Sequence, residues 1–282
     1  MANVAFLGTG LLGSAMVEGL LRRGNSVTVW NRTESKARAL EASGAKVAAT
    51  PEDAVGGAQH IHMTLPDDAV VDEMIAAIRR RLTAGAVIID HSTTSAVGAK
   101  VRIEKLRHDG IRFVHAPVFM SPQMARDSDG LMLVSGPKAV FDEARGDLEK
   151  MTGEVWYLGE RGDLAAAYKL FGNAMLFVIS GGVADILAMA KSLGVSPTDA
   201  VGLFSKFQVG GALKARGEKM ARGDFSASFE LTMARKDIRL MIEAAGKQPL
   251  TVLPHIARKM DEAIAQGHGS EDLGVIAAEA LR

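Results

Sequence analysis

The first residues whose types and spacing could do chemistry are Gly8-Thr9-Gly10-Leu11-Leu12-Gly13. They fit G-x-G-x-x-G directly after an apolar run at residues 4–7 and ahead of a helix-like segment. In that setting Gly8 permits a tight turn, Gly10 lets a pyrophosphate approach the backbone, and Gly13 allows close helix–strand packing. Thr9, Leu11 and Leu12 complete the loop, and the unpaired N–H groups of the helix start carry partial positive charge toward phosphates. A glycine turn serving only the fold is the plain alternative; the strand-before, helix-after context favours dinucleotide binding. The next apolar run ends at Trp30 and is followed by Asn31-Arg32-Thr33. An NAD-selective site places an acid near here for the ribose 2′-hydroxyl. Glu34 comes too late, inside the next helix-like stretch. Arg32 can grip a 2′-phosphate bidentately, and Asn31 and Thr33 can add hydrogen bonds. The charge logic favours NADP, against the alternative of a solvated loop arginine.

A second pair sits far along the chain. Lys169 and Asn173 are four residues apart, on one face of a helix and about 6 Å apart at Cβ. A lysine opening a very apolar helix can be desolvated, which lowers its pKa toward neutrality. It can then give a proton to the alkoxide that forms when hydride reaches a carbonyl, or take one in the reverse direction. A snorkelling surface lysine is the competing reading. His60 and His62 share one side of a strand, but no carboxylate pair stands nearby, so packed or hydrogen-bonded histidines are expected in preference to metal ligands. No G-x-S-x-G elbow or H-E-x-x-H occurs, which leaves triad hydrolase and zinc protease readings without support.

These residues need a frame. Short, nearly all-apolar runs at 4–7, 26–30, 61–65 and 86–90 alternate with amphipathic stretches at 11–23, 34–43, 68–80 and 97–109. The pattern predicts a parallel, doubly wound sheet covered on both faces. Further strands are expected at 112–115, 131–135 and 155–158, with a helix near 138–151. From residue 164 to about 193 runs one long apolar pattern, and the remainder is helix-like. The reading is an α/β chain of two domains: residues 1–162 bind a dinucleotide, and residues 163–282 form an all-helical substrate and oligomerisation domain. The tight junction favours a single cleft between them. The long apolar pattern exceeds what one helix partner covers, so association of the helical domains is expected.

Composition narrows the function classes. The chain has 282 residues, 33 Lys+Arg against 33 Asp+Glu, 48% hydrophobic and 23% charged residues, and 0 Cys. Two domains of ordinary globular composition fit that length. Zero net charge without a basic run argues against nucleic acid as a partner. Without Cys there is no disulfide, thiolate nucleophile or Cys-ligated metal. The 14 Met read as core filling and an adaptable pocket. The run at 4–7 reaches glycine too soon for a signal-peptide core, and a cytoplasmic chain is expected. Residues 174–190 would span about 25 Å as a helix, short of a roughly 30 Å hydrocarbon core, and are expected to be a buried helix with no membrane partner.

Taken together, Phe6-Leu7-Gly8-Thr9-Gly10-Leu11-Leu12-Gly13, Asn31-Arg32-Thr33, Leu65-Pro66-Asp67, Asp90-His91-Ser92-Thr93, Ala116-Pro117-Val118, Gly162 with Lys169 and Asn173, and Lys236-Asp237 give the chain a resemblance to the β-hydroxyacid dehydrogenase family, which includes 3-hydroxyisobutyrate dehydrogenases and semialdehyde reductases. The resemblance covers nearly the whole chain. It implies a Rossmann-like domain joined by a long helix to a helical domain, usually as a homodimer or homotetramer. It matches Lys169 to the catalytic lysine and Asn173 to the asparagine that positions substrate. Leu65, Pro66 and Thr93 match residues along the nicotinamide half of the cofactor, and Lys236 matches a lysine on the cofactor side of the cleft. Read by themselves, the first three are equally strand ends and a cap, and Lys236 an exposed helical charge.

The departure lies in the substrate loop. The family usually reads Asp-Ala-Pro-Val-Ser-Gly-Gly, whereas this chain has His115-Ala116-Pro117-Val118-Phe119-Met120-Ser121-Pro122. Phe119 and Met120 bring bulk where a hydroxyl and bare backbone N–H groups are usual, Pro122 has no N–H, and Ser121 offers one polar contact. His115 reads as a second acid/base or as a packing residue. The expected function is an NADP-linked reductase or dehydrogenase acting on a small aldehyde or β-hydroxyacid. Imine reduction is the nearest rival, and a non-catalytic NADP-binding module is the alternative from another class.

Overall fold

The computed structural model describes residues 3–282. The first part runs β1 (Asn3–Leu7), α1 (Leu11–Arg22), β2 (Ser26–Trp30), α2 (Glu34–Arg38), β3 (Lys46–Val47), α3 (Pro51–Val55), β4 (His60–Met63), α4 (Asp68–Ile78), β5 (Val87–Asp90), α5 (Ala96–His108), β6 (Arg112–His115), β7 (Val118–Phe119), α6 (Pro122–Asp127), β8 (Leu131–Ser135), α7 (Lys138–Leu148) and β9 (Glu154–Gly159). Then come α8 (Leu164–Leu193), α9 (Pro197–Gly202), α10 (Val209–Ala221), α11 (Leu231–Ala245), α12 (Leu253–Ala265) and a 3-10 segment at Leu273–Leu281. The chain divides into two compact units, Met1–Asn173 and Ala174–Arg282, with the division inside α8 and not before it at residue 163.

In the first unit the strands form one sheet in the order β3-β2-β1-β4-β5-β6-β8-β7, with β9 beside β8. From β3 to β6 all pairs are parallel; β8 runs antiparallel to β6 and to β7. This is the expected Rossmann-like architecture. Side chains alternate sides along each strand. Val4, Phe6, Val27, Val29, Ile89 and Val114 enter one core, whereas Ala5, Leu7, Ile61, Met63, Ile88 and Phe113 enter the other. Because both faces are covered, β1, β5 and β8 are almost wholly buried and read as near-continuous apolar runs, whereas β2 alternates as Ser-Val-Thr-Val-Trp. Four short elements, β3, α3, β7 and α6, escape a reading by periodicity, since each holds too few residues for a period to show.

In the second unit Leu231, Ala234, Ile238, Ala257, Met260 and Val275 form the core. Asp185 is buried, and its carboxylate accepts backbone N–H bonds from Thr251, Val252 and Leu253 at the start of α12. Burial pushes its carboxyl up, but those bonds outweigh it and hold the pKa below the ordinary value. The expectation of a buried helix at 174–190 is corrected here. Residues 174–180 are all exposed, and Phe177 keeps 73% of its surface. The helix is also longer than that stretch, and an 18-residue window within it has a mean hydropathy of 1.7, so by length and composition it could cross a membrane. The apolar residues that read as core have no matching apolar cover within the described residues.

Candidate active site

At the C-terminal edge of the sheet, β1 ends in the glycine loop. A cavity of about 630 Å³ opens above it, lined by Gly8, Gly10, Leu11, Leu12 and Gly13 on one side and by Asn31, Arg32, Thr33, Leu65 and Pro66 on the others. The three glycines are required for different reasons. Gly8 has φ +96°, and a Cβ there would lie 2.2 Å from the Thr64 carbonyl oxygen. A Cβ on Gly13 would lie 2.1 Å from the Gly8 oxygen. These two are dictated by the protein's own packing. At Gly10 a Cβ would meet nothing within 4 Å. The open space over Gly10 is a cradle for something the chain itself does not supply. Gly10 caps α1 without a side-chain hydrogen bond, and the first turn of α1 carries no acid. Its N–H groups and dipole are therefore free for an anion. The residues present fit a dinucleotide.

Side chains fix the loop from outside. Thr9 N–H donates to Asn31 Oδ1 at 3.0 Å, Asn31 Nδ2 donates to the Thr33 oxygen at 2.9 Å, and Thr64 Oγ1 donates to the Gly8 oxygen at 2.6 Å. Asn31 thus ties the glycine loop to the turn that carries Arg32. Arg32 and Lys36 both line the cavity, and neither forms an ion pair among the described residues, whereas Glu34 is paired with Arg38. Lys36 is a residue that sequence reasoning missed, although its place four residues after Arg32 was a usable signal. Trp30, Thr64 and Glu73 also line the cavity without having been singled out. Thr93 is exposed just beyond β5 and does not line it. Lys236 belongs to the second unit, on α11, and pairs with Asp237 at 2.9 Å.

Three strands along from β1 in the sheet, about 14 Å at the usual strand spacing, β6 leads into the departing loop. Lys169, near the start of α8, reaches this loop. Its Nζ donates to the Val118 oxygen at 2.8 Å and stands 4.1 Å from the centroid of the Phe119 ring. Burial lowers the pKa of the Lys169 ammonium. The ring of Phe119 is seated on Gly172, where a Cβ would lie 2.3 Å from Phe119 Cζ. Asn173 follows one residue on, half-buried. Met120 packs on the core with its Cβ against Gly130, and Ser121 caps α6 by accepting from Met124 N–H at 3.2 Å. Gly172 was also missed, and nothing in the sequence pairs it with Phe119.

The loop is held from both faces of the sheet by buried polar groups. On one face His62 Nδ1 and His91 Nε2 are 2.9 Å apart, and His91 Nδ1 lies 2.7 Å from the Ala116 oxygen. That carbonyl can only accept, so His91 donates from Nδ1, and in turn accepts from His62. Burial pushes both histidines down, His91 to about 4. On the other face Asp90 and His115 pair at 3.2 Å, and His115 Nε2 is 3.5 Å from Thr94 Oγ1. Burial raises the Asp90 carboxyl, but hydrogen bonds from His115 and Ser92 outweigh it and the net pKa is lowered. His115 is fully buried, which agrees with its packing reading. His62 is hydrogen-bonded as expected, and His60 lies 3.4 Å from Asp147.

A glycine-loop cradle on a doubly wound sheet, with a desolvated lysine further along the same edge, defines a nicotinamide-dinucleotide oxidoreductase. Residues 3–159 match the family model for the NAD binding domain of 6-phosphogluconate dehydrogenase, more than half of the chain. The chain belongs to that family, within the β-hydroxyacid dehydrogenases. Glyoxylate/succinic semialdehyde reductase 1 of Arabidopsis thaliana is 29% identical over 96% of this chain and 95% of its own length. The chloroplastic reductase 2 of the same plant is 28% identical over 86% of this chain and 69% of its own length. A reductive aminase from Aspergillus terreus, solved with NADPH4, cyclohexanone and allyl amine, shares the fold at a TM-score of 0.89, with 23% identity over 100% of this chain and 99% of that one. The protein is an NAD(P)-dependent reductase or dehydrogenase.

Proposed function

We propose that the chain is an NADP-dependent reductase of small carbonyl compounds, working in reverse on the corresponding hydroxy compounds such as β-hydroxyacids. The observation that carries this is Lys169 Nζ, half-buried and held by the Val118 oxygen on the same sheet edge as the glycine cradle. A bound nicotinamide dinucleotide supplies the hydride. Gly8–Gly13 and the start of α1 would hold its phosphates, Arg32 and Lys36 its 2′-phosphate, and Leu65 and Pro66 would face the nicotinamide, with Thr93 beyond the cavity on that side. Lys169 donates a proton to the substrate oxygen as negative charge develops there, and Asn173 orients that oxygen. A lowered lysine pKa makes the transfer easier near neutral pH in both directions. Imine reduction is the second reading, favoured by the apolar Phe119 beside the proton donor.

The test is turnover by NADPH absorbance on aldehydes, hydroxyacids and cyclic imines. Lys169→Ala should lower carbonyl turnover by about 10²–10⁴ while leaving NADPH affinity near wild type. Arg32→Asp should do the opposite, weakening NADPH far more than NADH. Near-normal turnover of Lys169→Ala together with good imine reduction would transfer the assignment to imines. Residues 163–282 are proposed to build the substrate and oligomer part, with a second copy of the chain covering α8. Phe171 and Phe177 are 67% and 73% exposed, while Asp185 on the same helix is engaged by α12. A monomer in light scattering at micromolar concentration would remove that proposal.

A further inference from the structure

A lysine ammonium has three N–H donors in a compact tetrahedral array. In this chain one is given to the Val118 oxygen at 2.8 Å. A second sector is covered by the Phe119 ring, whose centroid is 4.1 Å from Nζ. The carbon of an ion-paired carboxylate would sit about 3.6 Å from Nζ, given charge-assisted N–O contacts of about 2.8 Å, and so within the space the ring fills. The ring is not free to leave. It lies on Gly172, the only residue type that admits it there, since a Cβ would come within 2.6 Å of two ring carbons. Its electron-rich face attracts the ammonium and repels an anion. The backbone behind it is fixed as well, through the His91 bond to the Ala116 oxygen and the β7–β8 pairing of Phe119 with Leu131. One donor direction on Nζ remains.

We propose that Phe119, seated on Gly172, is the specificity-determining residue of the reductase site: its ring occupies the anion-binding side of Lys169, so the enzyme takes neutral carbonyl compounds with apolar substituents and discriminates against oxo-acids. The inference rests on the reductase reading above and narrows its substrates, ranking β-hydroxyacids and their oxo-acids below neutral compounds of the same length. A single free donor serves a carbonyl oxygen and the alkoxide that follows from it. A carboxylate seeking the same ammonium must displace either the ring or the Val118 oxygen. Phe119 and Gly172 therefore act as one device, although they lie far apart in the sequence.

The experiment compares two substrates of equal chain length, an ω-oxo carboxylate and its neutral methyl ester, by kcat/KM with NADPH. The wild type should prefer the ester at least about 10-fold. Phe119→Ser should shrink or invert that ratio by about 10-fold or more. Gly172→Ala, which displaces the ring without deleting it, should move the ratio in the same direction. Phe119→Leu keeps apolar bulk and should retain most of the preference, so a general loss of folding cannot imitate the pattern. If both substrates are reduced but the acid is preferred, or if the ratio is unmoved in Phe119→Ser and Gly172→Ala, the specificity proposal falls and the reductase reading stands. If no carbonyl compound is reduced by the wild type, both fall together.

Discussion

Residues 8–13 and residues 115–121 leave the same C-terminal edge of one sheet, yet they are built by opposite means. The first segment is defined by what is missing. Gly8 and Gly13 have no side chain because backbone oxygens stand about 2 Å from where a Cβ would be, and Gly10 has none although nothing of the protein is near. The second segment is defined by what fills it. Phe119 takes the space over Gly172 and beside Lys169, Met120 is packed on the core, and Ser121 closes the start of α6. A cradle of bare backbone suits a ligand part common to every dinucleotide enzyme. A pocket wall of side chains can be changed without disturbing the cradle, so substrate choice can drift while cofactor binding stays.

The largest expected effect concerns what holds the filled segment in place. His91 donates to the Ala116 oxygen and, while neutral, accepts from His62; once protonated it loses the His62 bond and leaves a buried charge beside the loop. Burial lowers the His91 pKa to about 4. In the unfolded chain it returns to about 6.5. The unfolded state therefore binds the proton first as pH falls, so stability is full above about pH 6.5 and is lost as the pH drops toward 4. For this one group the loss is about 3 kcal/mol in all. The carboxylates Asp90 and Asp185, whose pKa values are lowered, lose their contribution only in a more acidic window, below about pH 4. Urea denaturation between pH 7.5 and 4.5 should show the decline, and His91→Gln, which can still donate to the Ala116 oxygen, should flatten it. A wild-type profile that is flat over this range would mean that the loop does not depend on a neutral histidine.

The contrast between the segments also explains what the sequence made legible. The cradle could be read because Gly8, Gly10 and Gly13 are local: turn, approach and packing are all solved within six residues. Arg32 could be read because its strand ends opposite the same turn. The β6–β7 loop announced itself only as a departure, since the meaning of Phe119 depends on Gly172 and Lys169, which fold back from α8. His62 was legible as a packed or hydrogen-bonded histidine, but neither its partner His91 nor the clamp on Ala116 was, because His91 follows the end of a different strand. The exposed face of α8 was misread for a related reason. Apolar composition reports that a surface is to be covered, and does not say whether the cover comes from the same chain.

A smaller effect separates the protein's needs from the ligand's within the cradle itself. Gly13→Ala places a methyl group 2.1 Å from the Gly8 oxygen and 2.4 Å from Thr64 Oγ1, and backbone cannot yield as a flexible side chain does. Overpacking of that kind costs about 2 kcal/mol. The variant should be less stable even in the absence of cofactor, with a lower urea midpoint at an unchanged slope. Gly10→Ala meets no protein atom within 4 Å and keeps an extended backbone at φ −71° and ψ −169°, which any residue adopts. It should unfold at the wild-type midpoint or slightly above, because alanine has less conformational freedom to lose. Its defect should appear only when NADPH is titrated, as a weaker Kd from a methyl group standing where the pyrophosphate approaches the backbone. Equal stability losses in both variants would show that Gly10 also serves the fold. Unchanged NADPH affinity in Gly10→Ala would move the dinucleotide away from this loop.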